Sequence, residues 1–380
     1  MRISDRAALK AAAKTWLVEA ALPLWSGAGF EASSGLFEEQ LTFDHAPVTA
    51  VPRRLMVQAR QIAVFADAAL SGSFPSGGEL AIAVMQRVIA LYLEGDGQPG
   101  WVFSVDRRGM PVDGRRDLYA HAFVLFALAF AMRLERRSVF EDAVDKSLNF
   151  LDAAFADPRH GGFWDNLPRA DALRRQNPHM HLFEAMIALW ETTGRPDILA
   201  RGLALRDLAL ARFYDPGTGA LREVFFEDWR VHPAAGAGSV EPGHLFEWAW
   251  LLRRWQVASG TDESPSVERL LALALRAGLD ARSGRIIDEI GEDGHPRRLS
   301  SRSWPHAEAL KALSTEAEGG TLCRSGLVDS ILGRVMAVYC PARLRGGWID
   351  HVDSQDAPLV RIMPASTLYH LYFGITAVVR

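Results

Sequence analysis

Thiols are nearly missing from this chain: Cys323 and Cys340 are the two cysteines among 380 residues. They are too few for a disulfide framework and lack the paired spacing of a zinc site, so both read as core filler in a protein of the reducing cytoplasm. An excess of one charge is missing too. Lysines and arginines number 42 and aspartates and glutamates 46, a formal net charge of −4, which gives no bulk attraction to nucleic acid or an anionic membrane. No run approaches the roughly eighteen uncharged apolar residues of a membrane span. The longest, FVLFALAFAM at 123–132, suits a buried helix, so neither nucleic acid nor membrane is expected as a partner. The N-terminal MRISDRAALKAAAKTWLVEA carries acidic residues within its apolar pattern and reads as a first helix rather than a secretory leader. No Pro/Ser-rich linker divides the chain, and SGTDESPSVE at 259–268 is short enough to join two helices. A single domain over 1–380 is expected.

What is present is a repeat. A glycine followed by an aromatic or strand-forming segment with acidic residues occurs as GLFEEQLTFD from Gly35, GWVFSVD from Gly100 and GGFWDN from Gly161. It returns as GALREVFFEDW from Gly219, GRIIDEI from Gly284 and GGWIDHVD from Gly346. The copies lie about 60 residues apart, and a period of that size decides the fold before any single element does. Between copies the apolar spacing predicts two helices each time: 53–71 with 79–95, 117–134 with 139–155, 179–193 with 197–212, 242–259 with 266–277, and 304–315 with 325–337. One helix near 366–378 follows the last copy, and its partner is the helix near 7–22. Both are strongly apolar on one face, whereas an open solenoid would need polar caps. Pairing them closes a ring, an all-α (α/α)6 toroid of six helix pairs with short β segments in the connecting loops.

If the helix after each glycine segment lines the ring, its first polar residues converge at one mouth. These are Arg53, Arg54 and Arg60; Tyr119 and His121; Asn177 and His181; His244 and Glu247; Trp304, His306 and Glu308; and Tyr369 with His370. Titratable groups converging among aromatic walls mark a candidate active site. The plainer readings keep His121 and His306 as core histidines, Arg53 and Arg54 as a solvated pair, and Trp304 and Trp348 as core aromatics.

The segments RRLMVQARQIAVF, LYAHAFVLFALA, NPHMHLFEA, EPGHLFEWAWLL, RSWPHAEALKA and PASTLYHLYFGI, in this order, resemble the N-acylglucosamine 2-epimerase superfamily. That group also holds mannose isomerases, sulfoquinovose-type isomerases, cellobiose 2-epimerases and enzymes described as mannose-6-phosphate isomerases. The resemblance implies that His244 and His370 are proton-transferring bases. It implies that His181, assisted by Asn177, handles hydroxyl protons at the anomeric end. Arg60 would polarise the carbonyl and enediolate oxygen, and Glu247 would orient His244 or a sugar hydroxyl. Tyr119, Trp304 and Trp348 would hold the sugar, with Glu308 also at the substrate. Ala234 stands where some relatives acting on free or sulfonated sugars place an arginine.

Removing a proton beside a carbonyl asks for a base of near-neutral pKa and a fixed positive charge, which histidine and arginine supply. No cofactor and no metal are expected, and in His179-x-His181 the two rings point away from each other on a helix. The expected reaction is mannose–fructose isomerisation, on the free sugar or its 6-phosphate, with 2-epimerisation of an N-acylglucosamine or another aldose as the alternative. Arg169, Arg174 and Arg175 could fold over the mouth as a phosphate clamp or form a solvated loop. A glycosidase on the same toroid would draw on two of Asp165, Glu247, Glu308 and Asp350, and a non-catalytic scaffold is the third class. The expected partner is a small sugar, and the resemblance admits a homodimer.

Overall fold

The computed structural model describes residues 3–232, 238–319 and 325–380, so Ala234 and Cys323 lie outside the described residues. Six helices form an inner ring: α2 (Leu55–Leu70), α4 (Leu118–Leu134), α6 (Gln176–Thr193), α8 (Pro242–Ser259), α10 (Ser303–Gly319) and α12 (Ser366–Val379). Each touches the next, and α12 returns to α2. Their sequences are apolar on nearly every side, as helices enclosed by other helices must be.

The outer layer comprises α3 (Gly77–Tyr92), α5 (Ser138–Phe150), α7 (Pro196–Leu208), α9 (Ser264–Leu273) and α11 (Ser325–Arg334), each packed on the inner helix before it. The sixth outer helix is α1 (Ile3–Thr15), which continues through a π-helical stretch, Trp16–Ala21, into Leu22–Ser26 and packs on α12. The terminal helices therefore pair, as the repeat predicts, and the fold is the (α/α)6 toroid. Five of the six outer helices carry such a π stretch, four of them at the C-terminal end, at Leu151–Phe155, Ala209–Phe213, Ala274–Gly278 and Val335–Tyr339. The wider turn delivers the chain to the glycine segment, and periodicity alone gives no sign of it.

All six repeat glycines have positive φ, between 68° at Gly284 and 95° at Gly346. At Gly346 a Cβ would stand 2.6 Å from the backbone of Ala20, and at Gly284 2.5 Å from the carbonyl oxygen of Ser330, so only glycine lets the segment lie against the outer helix. The aromatic residues that follow fill the space between the layers. Phe37 stacks on Phe65 at 5.3 Å, and the Trp101 indole donates to the Ser147 hydroxyl at 2.8 Å. Burying one such ring contributes about 1.5–3 kcal/mol, and the buried apolar side chains form one connected cluster from Ala13 to Val378.

A crown of short antiparallel ladders runs around the mouth. The two or three residues before an inner helix pair with the glycine segment of the next repeat: Arg53–Arg54 with Ser104–Val105, Arg116–Asp117 with Asn166–Leu167, and Leu173–Arg175 with Val224–Phe226. Ser239–Val240 pairs with Glu289–Gly291 and Ser301–Arg302 with His351–Val352. The sixth ladder, Ile362–Pro364 with Gln40–Thr42, closes the crown. Arg53 is thus strand rather than helix, buried against Glu31 at 2.7 Å and Glu38 at 3.1 Å, and Arg54 pairs with Glu39. Neither forms a solvated pair, and neither reaches the cavity described below.

Four inner helices are latched to this crown. His121, His179 and His306 each turn Nδ1 to the carbonyl four residues back, at 2.8, 3.0 and 2.8 Å, and accept at Nε2 from the backbone N–H of Trp101, Phe163 and Ile286. Gln58 makes the equivalent bonds to both backbone groups of Phe37. His121 and His306 are therefore core residues of the joint between layers. Among the described residues no helix is long and apolar enough to cross a membrane.

Candidate active site

The crown sets the first turns of the inner helices around a cavity of about 350 Å³. Arg60, Tyr119, Asn177, His181, His244, Glu247, Trp304 and His370, all expected from sequence, line it, together with Glu241, Arg302, Asp350, Pro364, Ser366 and Thr367. The helical phase explains the selection. Tyr119, Asn177 and Trp304 stand two residues before the latch histidines, about 200° away around the helix, so one face holds the crown and the opposite face meets the cavity.

His244 and His370 both pack on the Trp304 indole, with ring centroids 5.0 and 5.6 Å away, yet their surroundings differ. His244 Nδ1 donates to Glu223 Oε1 at 2.9 Å, with the Gln176 amide nitrogen 3.1 Å away. Gln176 also donates to Glu223 Oε2 at 2.9 Å and accepts from the Trp248 indole at 2.8 Å. Burial opposes charge on His244, but the carboxylates of Glu223, Glu241 and Glu247 outweigh it and raise the imidazole to about 10. His370 Nδ1 donates to Glu308 Oε1 at 2.7 Å. Burial, reinforced by Arg60, Lys311 and His181, pushes it well below the usual histidine range. At neutral pH the two rings are therefore in opposite states, one an imidazolium and one a neutral imidazole with its Nε2 lone pair unspent, where the sequence suggests two alike.

His181 donates from Nδ1 to Glu184 Oε2 at 3.1 Å and places Nε2 3.9 Å from Glu247 Oε1. Burial lowers it to about 4. Burial works against charge on Glu184 too, but His181, Lys311 and the Tyr369 hydroxyl keep it ionised. Burial and the neighbouring Glu308 carboxyl raise Glu247 well above the usual carboxylate range. Arg60 donates to the Ser366 carbonyl at 3.2 Å and to the Tyr119 hydroxyl, with its guanidinium 4.2 Å from the Phe123 ring centroid. Asn177 Oδ1 and Glu247 Oε1 are buried without a hydrogen-bond partner among the described residues. Such acceptors and donors at a cavity wall suit a polyhydroxylated ligand.

Three expectations need correction. Trp348 is fully buried and stacks on Trp25 at 5.2 Å; it belongs to the aromatic layer behind the crown and does not line the cavity. Glu308 lies beneath His370 rather than at the wall, with its other oxygen 2.5 Å from Lys311 Nζ. The proposed phosphate clamp is already occupied by carboxylates. Arg169 pairs with Glu227 at 3.2 Å, Arg174 is buried against Asp157 at 3.2 Å, and Arg175 holds both Asp165 and Asp171 at 2.8 Å. The arginine of the crown that does line the cavity is Arg302, before α10, whose charge favours the ionised forms of Glu241 and Asp350. Of the carboxylates a glycosidase could use, Asp165 is held by Arg175 and Glu308 is covered, leaving Glu247 and Asp350 at the wall. Two sets of donor atoms, His181/Glu184/Glu247 and Glu247/Glu308/His370, each cluster within 4.8 Å, and the Lys311 ammonium supplies positive charge among them.

Sequence reasoning missed Gln176, Glu184, Glu223, Glu241, Arg302 and Lys311. Glu223 sits in the fourth glycine segment, whose ladder with Leu173–Arg175 carries it to His244. The repeat register could have shown this.

The model of the N-acylglucosamine 2-epimerase family matches residues 35–374. A mannose-6-phosphate isomerase of Rhizobium meliloti is 33% identical over 377 residues, covering 95% of this chain and 94% of its own. A D-mannose isomerase of Thermobifida fusca is 30% identical over 247 residues, 60% of each chain. The solved cellobiose 2-epimerase of Spirochaeta thermophila superposes with a TM-score of 0.86 at 23% identity, over 100% of this chain and 97% of that one. With repeat, ring and match in agreement, this chain belongs to the N-acylglucosamine 2-epimerase family of sugar isomerases and epimerases.

Proposed function

We propose that the protein interconverts mannose and fructose, free or as their 6-phosphates, with a neutral His370 as base and a protonated His244 as acid. The observation that carries this is the contrast between two cavity histidines packed on one indole, His244 bonded to Glu223 among carboxylates and His370 bonded to Glu308 with Arg60 and Lys311 near; environments that push two titratable groups apart divide acid from base. His181, its Nδ1 proton held by Glu184, accepts the anomeric hydroxyl proton and passes it to the ring oxygen as the ring opens, with Asn177 holding the sugar. His370 Nε2 then removes the proton on C2. Arg60 and the His244 imidazolium stabilise the negative charge that builds on the enediolate oxygens. His244 protonates O1 to give the enediol, and return of the proton from His370 to C1, with the O2 proton passing to His244, completes the ketose. Delivery by His244 to the opposite face of C2 would complete an epimer instead.

Support for mannose comes from the two relatives named for mannose or its phosphate. In heavy water, mannose, fructose, glucose, mannose 6-phosphate and N-acetylglucosamine should be offered in turn and their C1 and C2 protons followed by NMR. Exchange with mannose or its phosphate, together with ketose formation, is expected. Exchange confined to N-acetylglucosamine and its 2-epimer would remove the mannose assignment, and inactivity on all five would remove the isomerase reading.

The acid's charge should depend on Glu223. Glu223→Gln keeps an acceptor for His244 Nδ1, gives up the bond accepted from Gln176 and removes the leading carboxylate that raises His244. Activity requiring the imidazolium is lost as pH rises through its pKa, so the alkaline limb of kcat/KM should move down by at least about one pH unit. An alkaline limb that stays in place would refute the acid role.

A further inference from the structure

Lys311 has no part in the scheme above, yet it is among the most enclosed charges in the molecule, 1% exposed and one helical turn after Glu308. Its Nζ lies 2.5 Å from Glu308 Oε2 and 4.0 Å from the Trp250 ring centroid. Glu308 Oε1, on the other side of the same carboxylate, accepts from His370 Nδ1 at 2.7 Å. A relay of ammonium, carboxylate and imidazole therefore runs from the interior of the ring up to the cavity.

We infer that Lys311 is a positioning residue for the base: its buried ammonium keeps Glu308 an unprotonated acceptor, which holds His370 with the proton on Nδ1 and the lone pair on Nε2. The inference rests on the assignment of His370 as the base. A buried ammonium is costly unless paired, and a leucine or methionine would fill the same space. What the lysine adds is charge. His370 faces Glu308 and Lys311 from α10, Glu247 from α8, His181 and Glu184 from α6, and Arg60 from α2, with Tyr369 beside it on α12. Three of these are carboxyls, and burial pushes both Glu247 and Glu308 toward protonation. Lys311 is the leading group opposing that for Glu308.

Without the ammonium, the Glu308–His370 pair takes up a proton at higher pH, and either resting place for it removes the base. On His370 it makes an imidazolium. On Glu308 it makes a carboxylic acid whose O–H donates to Nδ1, forcing the ring proton onto Nε2. The prediction is the same for both: in Lys311→Met the acidic limb of kcat/KM moves up by at least about one pH unit, so at a pH well below both limbs activity falls about tenfold against the parent's at the same pH. Lys311→Arg should restore the limb. The double variant Glu308→Gln with Lys311→Met has no carboxylate to take up the proton, so its limb should return to the parent position or below.

His370 ring signals, identified by their loss in His370→Asn, give a readout independent of turnover. Their titration should move up in Lys311→Met even if the sugar assignment fails. A Lys311→Met limb and ring titration that coincide with the parent's, with only the melting temperature lowered, would overturn the inference. Should Lys311→Met not fold, the double variant decides, since it leaves no unpaired buried charge from this pair. A limb raised by a unit with both groups gone would place the proton elsewhere and overturn the proposal, whereas a limb at or below the parent's supports it.

Discussion

His370→Ala is expected to lower turnover by about 10²–10⁴-fold, the usual contribution of a positioned acid or base, without unfolding the chain. The ring lines the cavity, so truncation opens space already open to ligand, and Glu308 keeps its pairing with Lys311. His244→Ala should cost a similar factor, with Gln176 left to hold Glu223. The two variants should differ in isotope exchange. Loss of the base stops exchange of the C2 proton in proportion to turnover, whereas loss of the acid affects exchange only through the enediolate. Near-parental rates in either variant, or parental C2 exchange in His370→Ala, would defeat the assignment.

A second large effect concerns stability in acid. Burial lowers His121 to about 4 and His179 and His306 to about 3, against about 6.5 in an unfolded chain. Above that value both states are neutral and the histidines add no pH dependence. Below it the unfolded chain binds protons that the fold refuses, so stability falls as pH drops through 6.5 toward 4. Between pH 7.5 and 5 each latch histidine costs about 2 kcal/mol, about 6 kcal/mol for the three, a large part of an ordinary folding free energy. His306→Gln isolates one of these contributions, since Gln58 already joins its helix to a glycine segment through one accepted and one donated backbone bond without a titratable ring. Unfolding free energies from urea titrations at the two pH values should converge for this variant by about 2 kcal/mol relative to the parent. An unchanged acid dependence would show that His306 is not held neutral.

These latches also mark how far the sequence could be read. The ring, its helix pairs and its terminal closure follow from six glycine segments and a 3.6-residue period, because packing two layers leaves no other face for the apolar residues. The mouth was legible as a cluster of polar helix starts. Sequence placed His121 and His306 beside Tyr119 and Trp304 at that mouth, although residues two apart on a helix point to opposite sides. Trp348 was misjudged for a related reason. Aromatics in the glycine segments fill the space between the layers, as Trp101 and Phe37 do, whereas the inner-helix aromatics Tyr119 and Trp304 reach the cavity. The charge states of His244 and His370 were not legible, because Glu223 and Lys311 become their neighbours only through a ladder between repeats and a buried turn.

The closing ladder carries one more consequence, for the order in which the molecule comes into being. Among the described residues, the bonds that tie the last inner helix and its ladder to the first repeat need the chain from 362 onward: Met363 against Leu41, the Ala365 N–H on Glu39, Gln61 on the Ala365 carbonyl, and the Tyr372 hydroxyl on Asp67 at 2.8 Å. Behind them, His45 on the Leu344 carbonyl and Trp25 on Trp348 join the outer layer without it. While those residues are still inside the ribosome, five helix pairs form an open arc. The arc holds His181 and His244 but lacks His370, the proposed base, and the faces of α1 and α2 that α12 covers are open to solvent. The final helix therefore brings the last part of the hydrophobic enclosure and His370 together, so a chain that ends before it lacks one wall of the cavity and leaves apolar surface bare.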